Sequence, residues 1–487
     1  MPLWRQGSAI LLIFLAAGAC CALTEERTCD LFIIGVHRLV EHMTASTSKP
    51  ISAHPTKGFF VDMLIRDIPL QQAVLDLIDN CVDGAKRIRN GDGDDFSGLK
   101  VEISFSKDEF CILDNCGGFD QETARDYAFR FGRDKKFAST KHSIGQFGVG
   151  MKRALFKMGK KFIVQSKTAD DEWAVEVNVD DWEETEEWTF PWSAPISERL
   201  NGHSVGTFIS VQNLRQGTAS TFGTSVFSNS VVSSIKSKHR EFISKGLEIL
   251  VNGSRVDASD LRLFSNEKFS PVVETFSVTE GGDIPVSVRI VVGLDDPIPR
   301  KAGWYVVCNG RVILDADRRP QTGWGYVEEN ADTPNLPSFH NQYSRFRGIV
   351  YFDSDDASRV PWNTMKTDVD EDSIVWQKAF ERMVVLARHV LDFINKLDRE
   401  IEEYGRDKSP LLKVIKSAAK VSTDRMTTSR PFKAPDKSSI ETAPPLTKIQ
   451  YSRPVEDIEV LKEALGVDSA KAVGEKTFDI ALERHRG

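Results

Sequence analysis

The sequence predicts an α+β chain in which two successive α/β domains are followed by C-terminal helices. Three observations lead there. Helical and strand patterns alternate from about Thr56 to Leu214, a second group of strand signals runs from about Gly246 to Asp370, and a long helical stretch follows from about Ile374 to Tyr404. A chain of 487 residues is also too long for one compact core. Its 40% hydrophobic and 28% charged content is ordinary for a globular protein. A net charge of −8 argues against a broad electrostatic grip on nucleic acid, though it leaves room for a local basic patch. The seven cysteines include no CxxC pair, which argues against a zinc ribbon or a disulfide framework.

At the N-terminus, Arg5 precedes an apolar run from Ile10 to Leu23 that ends in small residues. The run has the length of a secretory leader and is short for a spanning helix, which needs about 20 apolar residues. It reads as a leader, as a membrane-proximal anchor, or as an over-extended gene start with Met43 as the internal start. Cys81 and Cys116 suggest a reducing compartment, which agrees with the third. The expectation is a cytoplasmic chain whose residues 1–54 stand outside the fold, without ordered structure.

From Leu70 to Arg89, Val74, Leu77, Ile78, Val82 and Ala85 fall at helical spacing, leaving Asp76, Asn80 and Asp83 together on another side. Asn90-Gly-Asp-Gly-Asp-Asp is a turn. Val101 to Phe105 alternates like a strand, and Phe110-Cys-Ile-Leu is a second, more buried one. Trp173, Trp182, Trp188 and Trp192 sit among acids. They read either as a face for a basic partner or, the reading preferred here, as strands with aromatic residues inward and acids outward. The expected divisions are a first α/β domain at 55–245, a second at 246–370, a long helix at 371–405, a Ser/Thr/Pro/Lys-rich linker at 406–450 and a small helical tail at 451–487. Two helical patterns around Gly466 and Gly474 make up that tail, which could pair with a copy of itself or with a partner, or equally form a small capping helix unit. No internal repeat is present.

Three short motifs carry chemistry. Asp76 and Asn80 are four apart, stacked on one helix face. An amide there can give its oxygen to Mg²⁺, and a carboxylate one turn earlier can take a proton from an attacking water, with Asp83 as a second acid nearby. A solvated acidic face is the equal alternative. Asp114 follows a buried strand and precedes Gly117 and Gly118, so it could accept a hydrogen bond from an exocyclic amine such as that of adenine. Most Asp-Asn-x-Gly-Gly segments are only turns. Gly145, Gly148 and Gly150 lead into a helix, where backbone N–H groups can bind anions. The pattern is neither a Walker A loop nor a compact Rossmann fingerprint.

As an ordered set, these motifs resemble the GHKL, or Bergerat-fold, ATPases: gyrase B subunits, MutL-type repair proteins, histidine kinases, heat-shock chaperones of the ninety-kilodalton class and the Microrchidia (MORC) proteins. The glycine box Ile144-Gly145-Gln146-Phe147-Gly148-Val149-Gly150, the helix motif Asp79-Asn80-Cys81-Val82-Asp83 and Gly206-Thr207-Phe208-Ile209-Ser210-Val211 carry the likeness over about 56–214. The resemblance implies a Bergerat-fold α/β sandwich that binds ATP with Mg²⁺. Asn80 would coordinate the metal, with Asp83 beside it. Asp114 and Thr207 would hold adenine over Gly118, and the glycine box, Gln146, Phe147 and Val149 included, would contact phosphates. Phe119–Ser143, with Arg130, Arg133, Lys135 and Lys136, would be a lid that opens and closes.

Two departures stand out. Asp76 occupies the place of the usual Glu base, a side chain about 1.5 Å shorter. A misplacement near 1 Å can cost on the order of 100-fold in rate, so either the helix sits closer to the γ-phosphate or hydrolysis is slow. Cys116 replaces the first glycine of the Asp-x-Gly-x-Gly box. In the second domain, Val360–Asp368 resembles the transducer loop by which gyrase, MutL and MORC proteins send a lysine, here Lys366, to the γ-phosphate; a solvated loop lysine is the alternative. His389 is expected to pack. The nearest branch is MutL/MORC-like. It implies slow, Mg²⁺-dependent hydrolysis that drives lid closure and an ATP-dependent homodimer, in DNA maintenance or defence, with the protein or DNA client unassigned. The rivals are a non-hydrolysing ATP-sensing scaffold and a chaperone-like ATPase, the latter disfavoured by the short C-terminal region.

Overall fold

The computed structural model describes residues 55–89, 95–131, 141–145, 148–327, 335–435, 447 and 449–486. The chain divides into two units, 1–60 and 61–487. Of the first, the described residues open helix α1 (Lys57–Arg66). The apolar run at Ile10–Leu23 and most of the Asn90 turn lie outside the described residues. Among those described, no helix is long and apolar enough to cross a membrane.

The second unit is built around two large sheets. The first has eight strands in the order β5-β4-β3-β6-β2-β1-β7-β8. They are β1 (Lys100–Phe105), β2 (Phe110–Asp114), β3 (Gly159–Lys167), β4 (Glu172–Asn178), β5 (Trp192–Ser193), β6 (Gly206–Leu214), β7 (Glu248–Val251) and β8 (Ser254–Arg255). Alternation sets the inner face of β1: Val101, Ile103 and Phe105 are buried in the core shared with helix α2 (Leu70–Ile88). Val74, Leu77, Ile78 and Val82 bring α2 into that core, and helix α3 (Gly150–Met158) packs beside it. Trp173 and Trp182 are buried as expected for inward aromatics, whereas Trp188 and Trp192 are largely exposed. The expected division at 245/246 falls within this sheet, because β7 pairs with β1 in parallel, Val101 opposite Ile249. The pairing is non-local, and the local strand signal at Leu247–Gly253 does not reveal its partner.

The second sheet, ordered β10-β11-β14-β12-β13, contains β10 (Val272–Val278), β11 (Val286–Leu294), β12 (Gly303–Cys308), β13 (Arg311–Asp317) and β14 (Phe346–Asp353). Helix α5 (Ile374–Tyr404), which follows α4 (Ser225–Lys238) in the chain, lies against β11, β14 and β10. It buries Val375, Trp376, Ala379, Met383, Val390 and Leu397 at helical spacing. His389, expected to pack, points outward and is exposed. Regular structure runs into the expected linker. Residues 410–416 form helix α6, Ala419–Ser422 forms β15 against β9 (Arg262–Ser265), and Ser270 and Val273 bridge to Lys433 and Arg430. Composition suggested a linker there, but Leu411, Leu412 and Ile415 are buried. In the tail, Gly466 ends α7 (Val455–Leu465) in a left-handed turn, while Gly474 lies inside α8 (Ala470–Arg486) without breaking it.

Gly84 marks the closest approach of α2 to the turn after β2: an added Cβ would meet the Cys116 carbonyl oxygen at 2.4 Å. Gly84→Ala gains helix propensity of about 1 kcal/mol, but overpacking against backbone typically costs about 1–3 kcal/mol. A lowered urea midpoint is expected; an unchanged or raised one would contradict this packing.

Candidate functional site

Above the first sheet lies a cavity of about 450 Å³, lined by α2, the end of β2, residues 118–128, the glycine loop, the start of α3 and the Lys366 loop. That size suits a small-molecule ligand. Asp76, Asn80 and Asp83 border it from α2, and Asp114, Gly118 and Thr207 from the sheet end. Gly145, Gly148, Val149 and Gly150 border it from the loop, and Lys366 from the segment between β14 and α5. Gln146 and Phe147 lie outside the described residues, as do Arg133, Lys135 and Lys136; Arg130 is described and exposed.

At the sheet end, Asp114 and Thr207 stand directly opposite each other across β2 and β6. One Asp114 oxygen accepts the Cys116 amide at 2.7 Å and the other the Cys81 thiol at 3.3 Å. Burial pushes the Asp114 carboxyl up to about 6, against the opposing pull of those hydrogen bonds. Burial and the neighbouring carboxylate push the Cys81 and Cys116 thiols up as well, so both remain protonated. Cys116 does not disturb the backbone turn, because its side chain joins the core. Gly118 adopts φ +61°, and a Cβ there would meet the Lys167 carbonyl at 2.3 Å, so the turn requires glycine.

Asp83 does not face open solvent. Its carboxylate accepts the Ile144 amide at 2.7 Å, the Gly145 amide at 2.6 Å and the Ser143 hydroxyl at 3.1 Å. It thereby clamps the start of the glycine loop to α2. Gly148, at φ +63°, turns the chain into α3. Just inside α3, Lys152 donates to the Ala128 carbonyl at 2.6 Å, and burial pushes it down to about 7.

Between Gln72 and Lys86 of α2, Asn80 alone is exposed. Its oxygen is a hard donor suited to Mg²⁺. One turn earlier, both Asp76 oxygens are engaged: Gln72 donates to one at 2.8 Å and Arg153 of α3 to the other at 2.9 Å. Asp76 is therefore a paired, buried carboxylate in this arrangement.

Lys366 is buried at the cavity wall, in a loop whose Asn363 brackets Thr367. Its ammonium donates to Asp79 at 2.8 Å. Asp79 is fully buried and also binds His239 and Arg311. Sequence reasoning singled out neither Asp79 nor Arg153, Arg311 and His239. The available signal was Asp79 itself, an acid three residues after Asp76 and four before Asp83. Its partners lie 160 to 287 residues away and carry no local mark.

Residues 68–207 match a protein-family model described as histidine kinase-, DNA gyrase B-, and HSP90-like ATPase. A stretch of 98 residues is 39% identical to the MORC family CW-type zinc finger protein 1 of Homo sapiens. That stretch is 20% of this chain and 9% of that protein, so the likeness concerns a small part of the relative.

The Asp83 clamp makes a prediction independent of any ligand. Asp83→Ala should speed hydrogen exchange at the Ile144 and Gly145 amides by at least about tenfold, the equivalent of roughly 1.4 kcal/mol of local protection. Unchanged protection at both amides would remove the clamp.

Proposed function

We propose that this chain, a member through residues 68–207 of the histidine kinase-, DNA gyrase B- and HSP90-like ATPase family, is an ATP-operated switch of the MORC-like branch. The observation that carries the proposal is the single cavity on which the motifs converge, with a buried acid at one end and a glycine loop at the other.

Asp114 accepts the adenine exocyclic amine, with Thr207 beside it and Gly118 leaving room for the ring. The amides of Gly148, Val149 and Gly150 face the phosphates at the start of α3. Asn80 would hold Mg²⁺, which would supply positive charge beside the phosphates. Asp83 acts through the loop it clamps. Lys366 places its ammonium against the terminal phosphate and stabilises charge that develops there. Lys152 ties the lid segment to α3 through Ala128, so lid position and phosphate contacts share one helix. Lid closure and pairing with a second copy would convert nucleotide state into a structural signal.

Hydrolysis is assigned to Asp76 as base. Gln72 and Arg153 each occupy one of its oxygens, so an attacking water is left the remaining lone pairs, and slow turnover is the expected outcome. The same pairing supports a second reading, an ATP sensor that does not hydrolyse. Turnover by wild type and Asp76→Asn separates the two: a measurable rate lost by at least about 100-fold in the variant supports the base, and equal inertness in both supports the sensor.

Calorimetry with Mg·ATP tests the pocket. Asp114→Asn should abolish detectable binding, because its amide presents a donor to the adenine amine. An affinity within a factor of about three of wild type would refute the adenine role. The raised carboxyl sets a pH dependence. Protonation removes the charged acceptor, so wild-type affinity should fall as pH drops through about 6. In folding the sign is opposite. A pKa raised in the fold favours the folded state fully below the unfolded value of about 3.9, and this contribution disappears as pH rises through about 6. A flat affinity profile between pH 5 and 7, on the order of one unit either side of that value, would contradict the assignment.

A further inference from the structure

Asp79 lies beside the cavity rather than on its wall, and three elements distant in sequence end on it. His239 Nε2 and Arg311 Nε each reach Oδ1 at 2.8 Å, and Lys366 Nζ reaches Oδ2 at 2.8 Å. Burial pushes His239 down to about 4, so it is neutral near pH 7 and donates its Nε2 proton to the carboxylate. One negative charge thus faces the two cations Arg311 and Lys366, with Lys238 close enough to act electrostatically on Asp79. A positive surplus remains. Lys366 lines the cavity and Arg311 does not, so the surplus is presented at the cavity wall.

Lys366 is also held in an uncommon backbone state, φ +53°, at the tip of a loop closed by the Trp362–Val369 bridge. A non-glycine residue in that region is retained only where its surroundings over-determine it. A buried ion pair is itself weak evidence of stabilisation, since well-packed apolar groups often do as well. Strained backbone and a costly buried charge together indicate a placement that the nucleotide site uses. An ammonium has three N–H donors. The one spent on Asp79 fixes direction and leaves two for an anion.

We propose that Asp79 is the positioning residue of the site: it aims the Lys366 ammonium at the terminal phosphate and, through Arg311, fastens the second domain to the helix that carries Asn80. This rests on the reading of the cavity as an ATP site. Asp79 touches no nucleotide in this scheme and acts only through Lys366 and Arg311.

The test is steady-state turnover of Mg·ATP by the full chain, with ADP affinity from calorimetry, for wild type, Asp79→Asn, Lys366→Ala and the double variant. Asp79→Asn keeps the shape and removes the charge. Its kcat should fall by at least about tenfold, while KM for ATP and the affinity for ADP stay within about threefold. Adding Lys366→Ala should cost less than about threefold more, because both changes remove one arrangement. A merely structural Asp79 would instead lower ADP affinity and thermal stability, with losses that multiply in the double variant. Should Asp79→Asn fail to fold, Asp79→Glu carries the test: it keeps the charge but displaces the ammonium, and the same kcat-selective loss is expected. Wild-type turnover in whichever variant folds, or full multiplication with Lys366→Ala, overturns the inference and leaves the ATP site standing. A wild type that binds ATP without turning it over also overturns the inference alone, and a wild type without affinity for ATP overturns both.

Discussion

Three carboxylates on one buried helix hold the parts of this site together. Asp76 takes Arg153 of α3, Asp79 takes Arg311 of β13 and Lys366 of the loop before α5, and Asp83 takes the backbone of the glycine loop. They recur at helical spacing, so one face of α2 addresses three separate elements. A charge taken out of water is costly unless paired and hydrogen-bonded. Each acid is therefore satisfied only when its own partner element is in place, and α2 senses the position of all three. Asn80 is the one residue between Gln72 and Lys86 that stays exposed.

The second sheet grips the helix and glycine-loop side of the site at more than one point. The turn between β12 and β13 has Asn309 at φ +48° and Gly310 at φ +82°, the backbone of a tight hairpin. From that turn Asn309 donates to the Ser143 carbonyl and accepts, through its own carbonyl, from Lys86. Lys86 also donates to the His142 carbonyl. The hairpin thus holds the lead-in to the glycine loop, while its next residue, Arg311, holds Asp79. A shift of the second sheet would be felt both at the glycine loop and at Lys366. Such discrete, shared contacts are what a two-state switch requires.

Much of the site was legible because its parts are local. Asp114 and the glycine pair announce a turn, and the spacing of Asp76, Asn80 and Asp83 announces a shared helix face. The pairing of Asp114 with Thr207 became visible only through the register of β2 against β6. What the sequence hid was long-range electrostatics. Nothing near Asp76 reveals Arg153, and nothing near Lys366 reveals that its ammonium would meet Asp79. The divisions after residue 245 were misread for the same reason. Strand β7 looks like the start of a new domain until it is seen beside β1, and residues 410–422 look like a linker until α6 and β15 are seen to pack.

The proposed switch requires that α2, the Asp114–Thr207 pair, the glycine loop and Lys366 surround a single purine triphosphate. The most direct measurement is a crystal structure of the full chain with Mg²⁺ and a non-hydrolysable ATP analogue. The expected result is adenine against Asp114, the metal on Asn80, and the terminal phosphate within hydrogen-bond distance of Lys366. An empty cavity at saturating analogue, or a nucleotide bound elsewhere, would contradict it.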